Sequence, residues 1–143
     1  MLKNKFYLVS CFAIVVEVIT LIYFGQLIIS QTGKIILFWP QGSGIENSQQ
    51  LSDWYSLSHF SHGIIFFFLI GFLLRKCKSN FKDDFSFKLM LATIVEVVWE
   101  ILENSPIIIN RYRLTGLAAG YFGDSVINSV SDIFFMLFGL WFA

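Results

Sequence analysis

Apolar residues run almost unbroken through four stretches of this chain, about 6–29, 54–74, 85–104 and 126–143. Each is close to the roughly 20 residues a helix needs to cross bilayer hydrocarbon. Between the first two lies Ser30–Ser52, polar and punctuated by Gly33, Pro40, Gly42 and Gly44, too irregular to lie in lipid. Trp39, Trp54 and Tyr55 flank it as interfacial aromatics. Pro106 ends the third stretch, and Ile107–Gly123, with Gly116, Gly120 and Gly123, reads as a second loop. Asp53 and Asp124 stand where N-caps of the second and fourth helices are expected. The pattern predicts an all-α protein, an integral membrane bundle of four transmembrane helices forming a single domain over residues 1–143.

The polar residues inside these stretches change the picture. Glu96, Glu100 and Glu103 follow at i, i+4 and i+7, so one helical face carries all three. A charge near the centre of a membrane helix costs about 2.5–3.5 kcal/mol, while each Leu, Ile, Val or Phe returns only about 0.3–0.6. Glu96 and Glu100 therefore roughly cancel the apolar residues around them and need partners within the protein. Asp124, Asn128 and Asp132 form a second stripe, His59 and His62 share a face, and Glu17 stands alone in the first stretch.

Composition agrees with lipid as the solvent. Hydrophobic residues make up 56% of the 143, and charged residues 14%, where a soluble domain has about a quarter charged. The mean hydropathy is +0.69. The formal net charge of zero offers no basic field for nucleic acid, which is excluded as a partner. Leu8-Val9-Ser10-Cys11 has the form of a lipoprotein cleavage box, but Leu8 follows Lys5 by only three positions, too few for a signal-peptide core. Cys11 and Cys77 have no partners nearby in sequence, so neither a disulfide framework nor a paired-cysteine metal site is expected. No glycine-rich phosphate loop, nucleophile elbow or dinucleotide fingerprint is present, and no motif assigns a cofactor.

Charge sets an orientation. Lys3, Lys5, Arg75, Lys76, Lys78, Lys82 and Lys88 flank one side, against Lys34, Arg111 and Arg113 on the other. The positive-inside rule places both termini and the 75–88 loop in the cytoplasm. Counting inward at about 1.5 Å per residue, His59, Glu103 and Asp124 form an outer tier. His62, Glu100 and Asn128 lie one turn deeper, and Glu96, Asp132 and Glu17 lie near mid-membrane.

Three readings of this convergence stay open. The polar residues hold the bundle together, or they form a site facing the outer leaflet, or they conduct protons or ions. In the second reading His59, His62, Glu100 and Asp124 are the catalytic candidates, with His62 as base or metal ligand and Glu100 as its orienting group or the acid. Arg111 and Arg113 match a phosphate bidentately, and Asn128 joins them as a substrate-binding candidate. Glu17, Glu96, Glu103 and Asp132 form the supporting network. A divalent metal would take His59 or His62 with Glu100 and Asp124. The expected partners are the bilayer, a lipid or lipid-phosphate ligand, and a second copy of the chain.

Several ordered blocks carry a resemblance: Glu46-Asn47-Ser48-Gln49, Asp53-Trp54-Tyr55, Ser58-His59 with His62-Gly63, Glu96 to Asn104, Arg111-Tyr112-Arg113, and Gly123-Asp124-Ser125 with Asn128-Ser129. Over about residues 34–138 the chain resembles an uncharacterised family of small multi-pass inner-membrane proteins of alphaproteobacteria. That resemblance implies a bacterial inner-membrane location and no assigned activity. Ser30-Gln31-Thr32-Gly33 stands where the family carries a Cys-x-Cys-Gly-like element, and Gln50 where a His follows the Asn-Ser-Gln block. More remotely, His in one span, Glu in the next and Asp or Asn in the last is similar to the layout of VanZ-like membrane proteins.

Overall fold

The computed structural model describes residues 2–42, 44–115 and 120–143. Gly116, one of the three glycines expected to loosen the second loop, lies outside the described residues. Among those described are five helices and no strand: α1 (Leu2–Tyr23), α2 (Ser56–Lys76), α3 (Phe85–Glu103), α4 (Pro106–Leu114) and α5 (Val126–Phe142). α1 and α2 have the length and apolarity to cross a membrane, and α5 is a shorter apolar helix.

The helix ends differ from the sequence expectation for local reasons. α1 stops at Tyr23, not near Ile29, because Gly25 takes φ +85° and Gln26 N donates back to Leu21 O at 3.0 Å. The chain then runs beside the start of α5, where Val126 N donates to Leu27 O at 2.8 Å. Asp53 does not cap α2, which begins at Ser56. Its carboxylate instead accepts from Ser48 N at 2.9 Å and Tyr55 N at 2.7 Å, holding the preceding loop in its turn. Asp124 does not cap α5 either; the cap is Ser125, whose Oγ accepts from Asn128 N. Asp84 caps α3 by accepting from Ser86 N and Phe87 N, and the Ser86 hydroxyl, ahead of these amides, holds its carboxyl below the usual range. The segment after α3 is not wholly a loop. Ser105 accepts from Ile108 N and Pro106 occupies the first turn, so the Ser-Pro pair that stops α3 also starts α4.

α2 packs most extensively on α5, and α1 on α3. Phe6 meets Phe87 edge-on, so α1 and α3 start at the same end. Ser56 bonds Asp132 while Phe60 meets Phe138 and Phe142, so α2 and α5 run parallel. His59 pairs with Glu96 at one end of α2, and Gly71 lies against Lys88 at the other, so α2 and α3 are antiparallel.

The α2–α5 approach is set by glycine. A Cβ on Gly63 would stand 1.9 Å from Met136 O, and one on Gly139 would stand 1.9 Å from Phe60 O. Only the absence of side chains lets these backbones meet.

The interior has two zones. Toward the end of the bundle where α1 and α3 begin, Ile70, Ala92, Val97, Ile133, Met136 and Leu140 form an apolar core. Toward the other end, Glu17, Thr93, Glu96, Glu100, Asn104, Asn128, Ser129 and Asp132 are buried. The outer faces are the reverse, with Phe12 68%, Phe68 62% and Trp141 71% exposed.

Candidate functional site

His59 is the hub of the polar zone. It sits on the first turn of α2 and is buried. Its Nδ1 lies 2.6 Å from Glu96 Oε1 and 3.4 Å from Glu100 Oε1, and its Nε2 lies 3.7 Å from Asp132 Oδ2. The stripe on α3 supplies both glutamates because they are one turn apart, and α5 supplies the aspartate. Ser56, one turn before His59, donates to Asp132 Oδ1 at 2.7 Å and fixes that carboxylate.

His62 reaches the same oxygen, with its Nδ1 3.1 Å from Glu96 Oε1. Its side chain is 31% exposed and packs against Phe66 and Trp99. The expected tiers are thereby shifted. His59 meets Glu96 and Asp132, which counting had placed two tiers deeper, while Glu103 and Asp124 lie elsewhere on the cavity wall. The reason is that His59, on the first turn of α2, pairs with Glu96 about two turns before the end of α3, so α2 starts below the level at which α3 ends.

The zone holds more carboxylate than its partners neutralise. Glu17 is fully buried on α1, and neither of its oxygens has a hydrogen-bond partner among the described residues. The same is true of both Glu100 oxygens and of Glu96 Oε2. Among the described residues the ion-pair partners of Glu96, Glu100 and Asp132 are the two histidines alone.

A second network closes the end of the bundle and is well satisfied. Asn104 donates to Asp124 Oδ2 at 2.8 Å and accepts from Asp124 N at 2.6 Å, and Tyr121 OH donates to Asp124 Oδ1 at 2.9 Å. Burial raises the Asp124 carboxyl above its usual range, against the pull of the Asn104 and Tyr121 hydrogen bonds. The Tyr121 hydroxyl is pushed up too, first by burial and then by the charge of Asp124. Asn128, a substrate-binding candidate, instead donates to Gln50 O at 2.8 Å, and Gln49 donates to Gly123 O at 2.8 Å. These contacts lash the 44–55 loop to the start of α5.

Between the networks is a cavity of about 640 Å³, lined by His59, His62, Glu103, Asp124 and Asp132 together with Tyr55, Trp99, Tyr112 and Tyr121. Neither arginine lines it. Arg111 is exposed, and Arg113 stands behind the wall, donating to Tyr121 O at 2.7 Å with its guanidinium over the Phe122 ring.

The sequence offers Ser56 and Tyr121 no role, and Asn104, Tyr55 and Tyr112 stand in the resemblance blocks without one in the site. Ser56 and Asn104 continue the faces of His59 and Glu100 by one turn, a signal available in the spacing. Tyr121 had none, and only the folded loops bring it to the wall beside Tyr55 and Tyr112.

A family described as "Protein of unknown function (DUF2585)" matches residues 21–143. A UPF0314 protein of Rhizobium johnstonii is 43% identical over 142 residues, 98% of this chain and 69% of that protein. A UPF0314 protein of Agrobacterium fabrum is 41% identical over 130 residues, 91% of this chain and 63% of its own length. One of Novosphingobium aromaticivorans is 45% identical over 127 residues, 88% of this chain and 63% of that protein. The chain thus spans about two thirds of the length of these relatives. No solved structure matches.

Proposed function

We propose a ligand-binding role in the bacterial inner membrane for this chain, which belongs to the DUF2585 family of proteins of unknown function. In this reading α1, α2, α3 and α5 cross the bilayer as one domain, with both termini cytoplasmic. The cavity opens to the periplasmic side and receives the head of a phosphate-bearing lipid.

The observation that carries the proposal is the set of unpaired carboxylate oxygens on Glu96 and Glu100, set beside two imidazoles below an open cavity, with the equally unpaired Glu17 buried on α1. A network kept only for stability satisfies itself, because an unpaired buried polar group costs about 1–3 kcal/mol. The inverted distribution of polarity supports the membrane part, since large apolar side chains on the outside are stable only against lipid or another protein. The layout shared with VanZ-like membrane proteins agrees with it.

Within the site, His62 is the accessible acid–base group, and Glu96 orients it. Arg113, held at the wall residues Tyr121 and Phe122, is the basic group suited to a phosphate at the rim.

A second reading has its own support. The Asn104–Asp124–Tyr121 network is satisfied and ties loops to helices, as an assembly or stabilising subunit would require.

The test uses nanodiscs containing phosphatidylethanolamine and phosphatidylglycerol, with native mass spectrometry of the released protein. Wild type is expected to retain one such lipid, and Ser58→Trp, which fills the cavity wall, to lose it. Equal retention by both forms would leave the stabilising role as the better reading.

A further inference from the structure

The cavity wall carries Glu103, Asp124 and Asp132, and a bound cation would favour the entry of an anionic head. We propose that His59, Glu100 and Asp132 bind one divalent transition-metal ion there. One donor atom from each of these residues lies within 4.8 Å of the others, and all three residues are buried.

Glu100 is the independent sign of a missing partner. It is 1% exposed, stands 3.4 Å from the His59 ring, and has no hydrogen bond on either oxygen among the described residues. Side chains rarely leave two such acceptors unpaired away from water. The surroundings are those of a metal ligand sphere with its supports in place. Ser56 donates to the second oxygen of Asp132 and leaves the other facing His59. Glu96 holds the His59 ring through Nδ1, the carboxylate–histidine pairing that orients a metal-bound imidazole.

One imidazole and two carboxylates are a mixed nitrogen and oxygen set, which suits Zn²⁺ or Mn²⁺ better than Ca²⁺ or Mg²⁺. Three protein ligands leave open positions, and His59 and Asp132 also line the cavity, so those positions face the space where a headgroup would lie. Asp124, a metal candidate by sequence, is excluded from the sphere because Asn104 and Tyr121 occupy its oxygens.

The proposal rests on the reading of this zone as a ligand site but does not require that the ligand be a lipid. The experiment strips the detergent-purified full chain with chelator, reloads it with Zn²⁺ or Mn²⁺ alone, and measures bound metal by mass spectrometry. Glu100→Gln, Asp132→Asn and Asp124→Asn are tested in parallel, with the helical circular dichroism of each as the check on folding. Wild type and Asp124→Asn are expected to bind about one ion per chain, and the other two to lose affinity more than tenfold. Wild type that binds neither ion would overturn the proposal, as would Glu100→Gln and Asp132→Asn forms that bind as wild type does. Lipid retention by a wild type that binds neither ion would sink the metal and leave the ligand reading standing. Metal binding without lipid retention would do the reverse.

Discussion

His59 Nδ1 and Glu96 Oε1 lie 2.6 Å apart across 37 residues of sequence, and the same oxygen stands 3.1 Å from His62 Nδ1. One carboxylate on α3 therefore orients two imidazoles on α2, and the two helices are held in register by a buried polar contact.

Removing one side of that contact leaves the other without compensation. His59→Ala is expected to destabilise the protein by about 3–5 kcal/mol, because Glu96, Glu100 and Asp132 lose their common partner. Replacing a buried pair with apolar residues is often neutral, so His59→Phe with Glu96→Leu should recover the share of that loss that comes from Glu96, while Glu100 and Asp132 stay without their partner. Unfolding followed by tryptophan fluorescence would measure both, and a silent His59→Ala would remove His59 from the centre of the network.

The α2–α5 crossing makes a sharper steric prediction. Gly63→Ala and Gly139→Ala each drive a methyl group into backbone at 1.9 Å, which no rotamer change relieves, and each is expected to cost about 1–3 kcal/mol or more. Gly71→Ala meets only the Lys88 side chain at 3.4 Å and gains about 0.5–1 kcal/mol of helix preference, so it should be neutral or stabilising. Thermal melts of the three variants would separate these outcomes.

Asp124 gives a pH dependence with a definite sign. Its carboxyl is raised in the folded state above the ordinary 3.8, so the folded chain holds this proton more tightly than the unfolded chain. Its contribution to stability is greatest below pH 3.8, declines as pH rises through the raised folded value, and is flat above it. The difference between wild type and Asp124→Asn across pH isolates this part from the other carboxylates. A difference that grows in favour of wild type with rising pH would contradict the assignment.

The proposed membrane orientation is open to thiol labelling. Cys77 and Cys11 are both exposed, Cys77 just after α2 and Cys11 on the outer face of α1. In intact cells an impermeant maleimide should leave both untouched, and after permeabilisation it should label Cys77 while lipid shields Cys11. Labelling of Cys77 in intact cells would invert the proposed topology and put the cavity on the cytoplasmic side.

Periodicity made the faces legible in the sequence, since a helix repeats within a few residues and needs no tertiary information to do so. The four apolar stretches fall on α1, α2, α3 and α5, and the spacing of Glu96 and Glu100 puts both on a single buried face. Their scarcity of charge compensation was also visible, because no arginine or lysine shares those faces near them.

Heights and partners were decided only by the tertiary structure. Counting residues inward assumed that the helices begin level, but the Gly63–Gly139 crossing sets the offset of α2 against α5, and no local pattern encodes that contact. That offset brings His59 to Asp132 rather than Asp124, and the lower start of α2 against the end of α3 brings it to Glu96 and Glu100 rather than Glu103. Loop closure, which depends on residues far apart in sequence, turned Asp124 from a cap into the acceptor of Asn104 and Tyr121 and put Arg113 behind the cavity wall. The residues of the site were thus set by local spacing, and their pairing by contacts between backbones that meet only when the whole chain is folded.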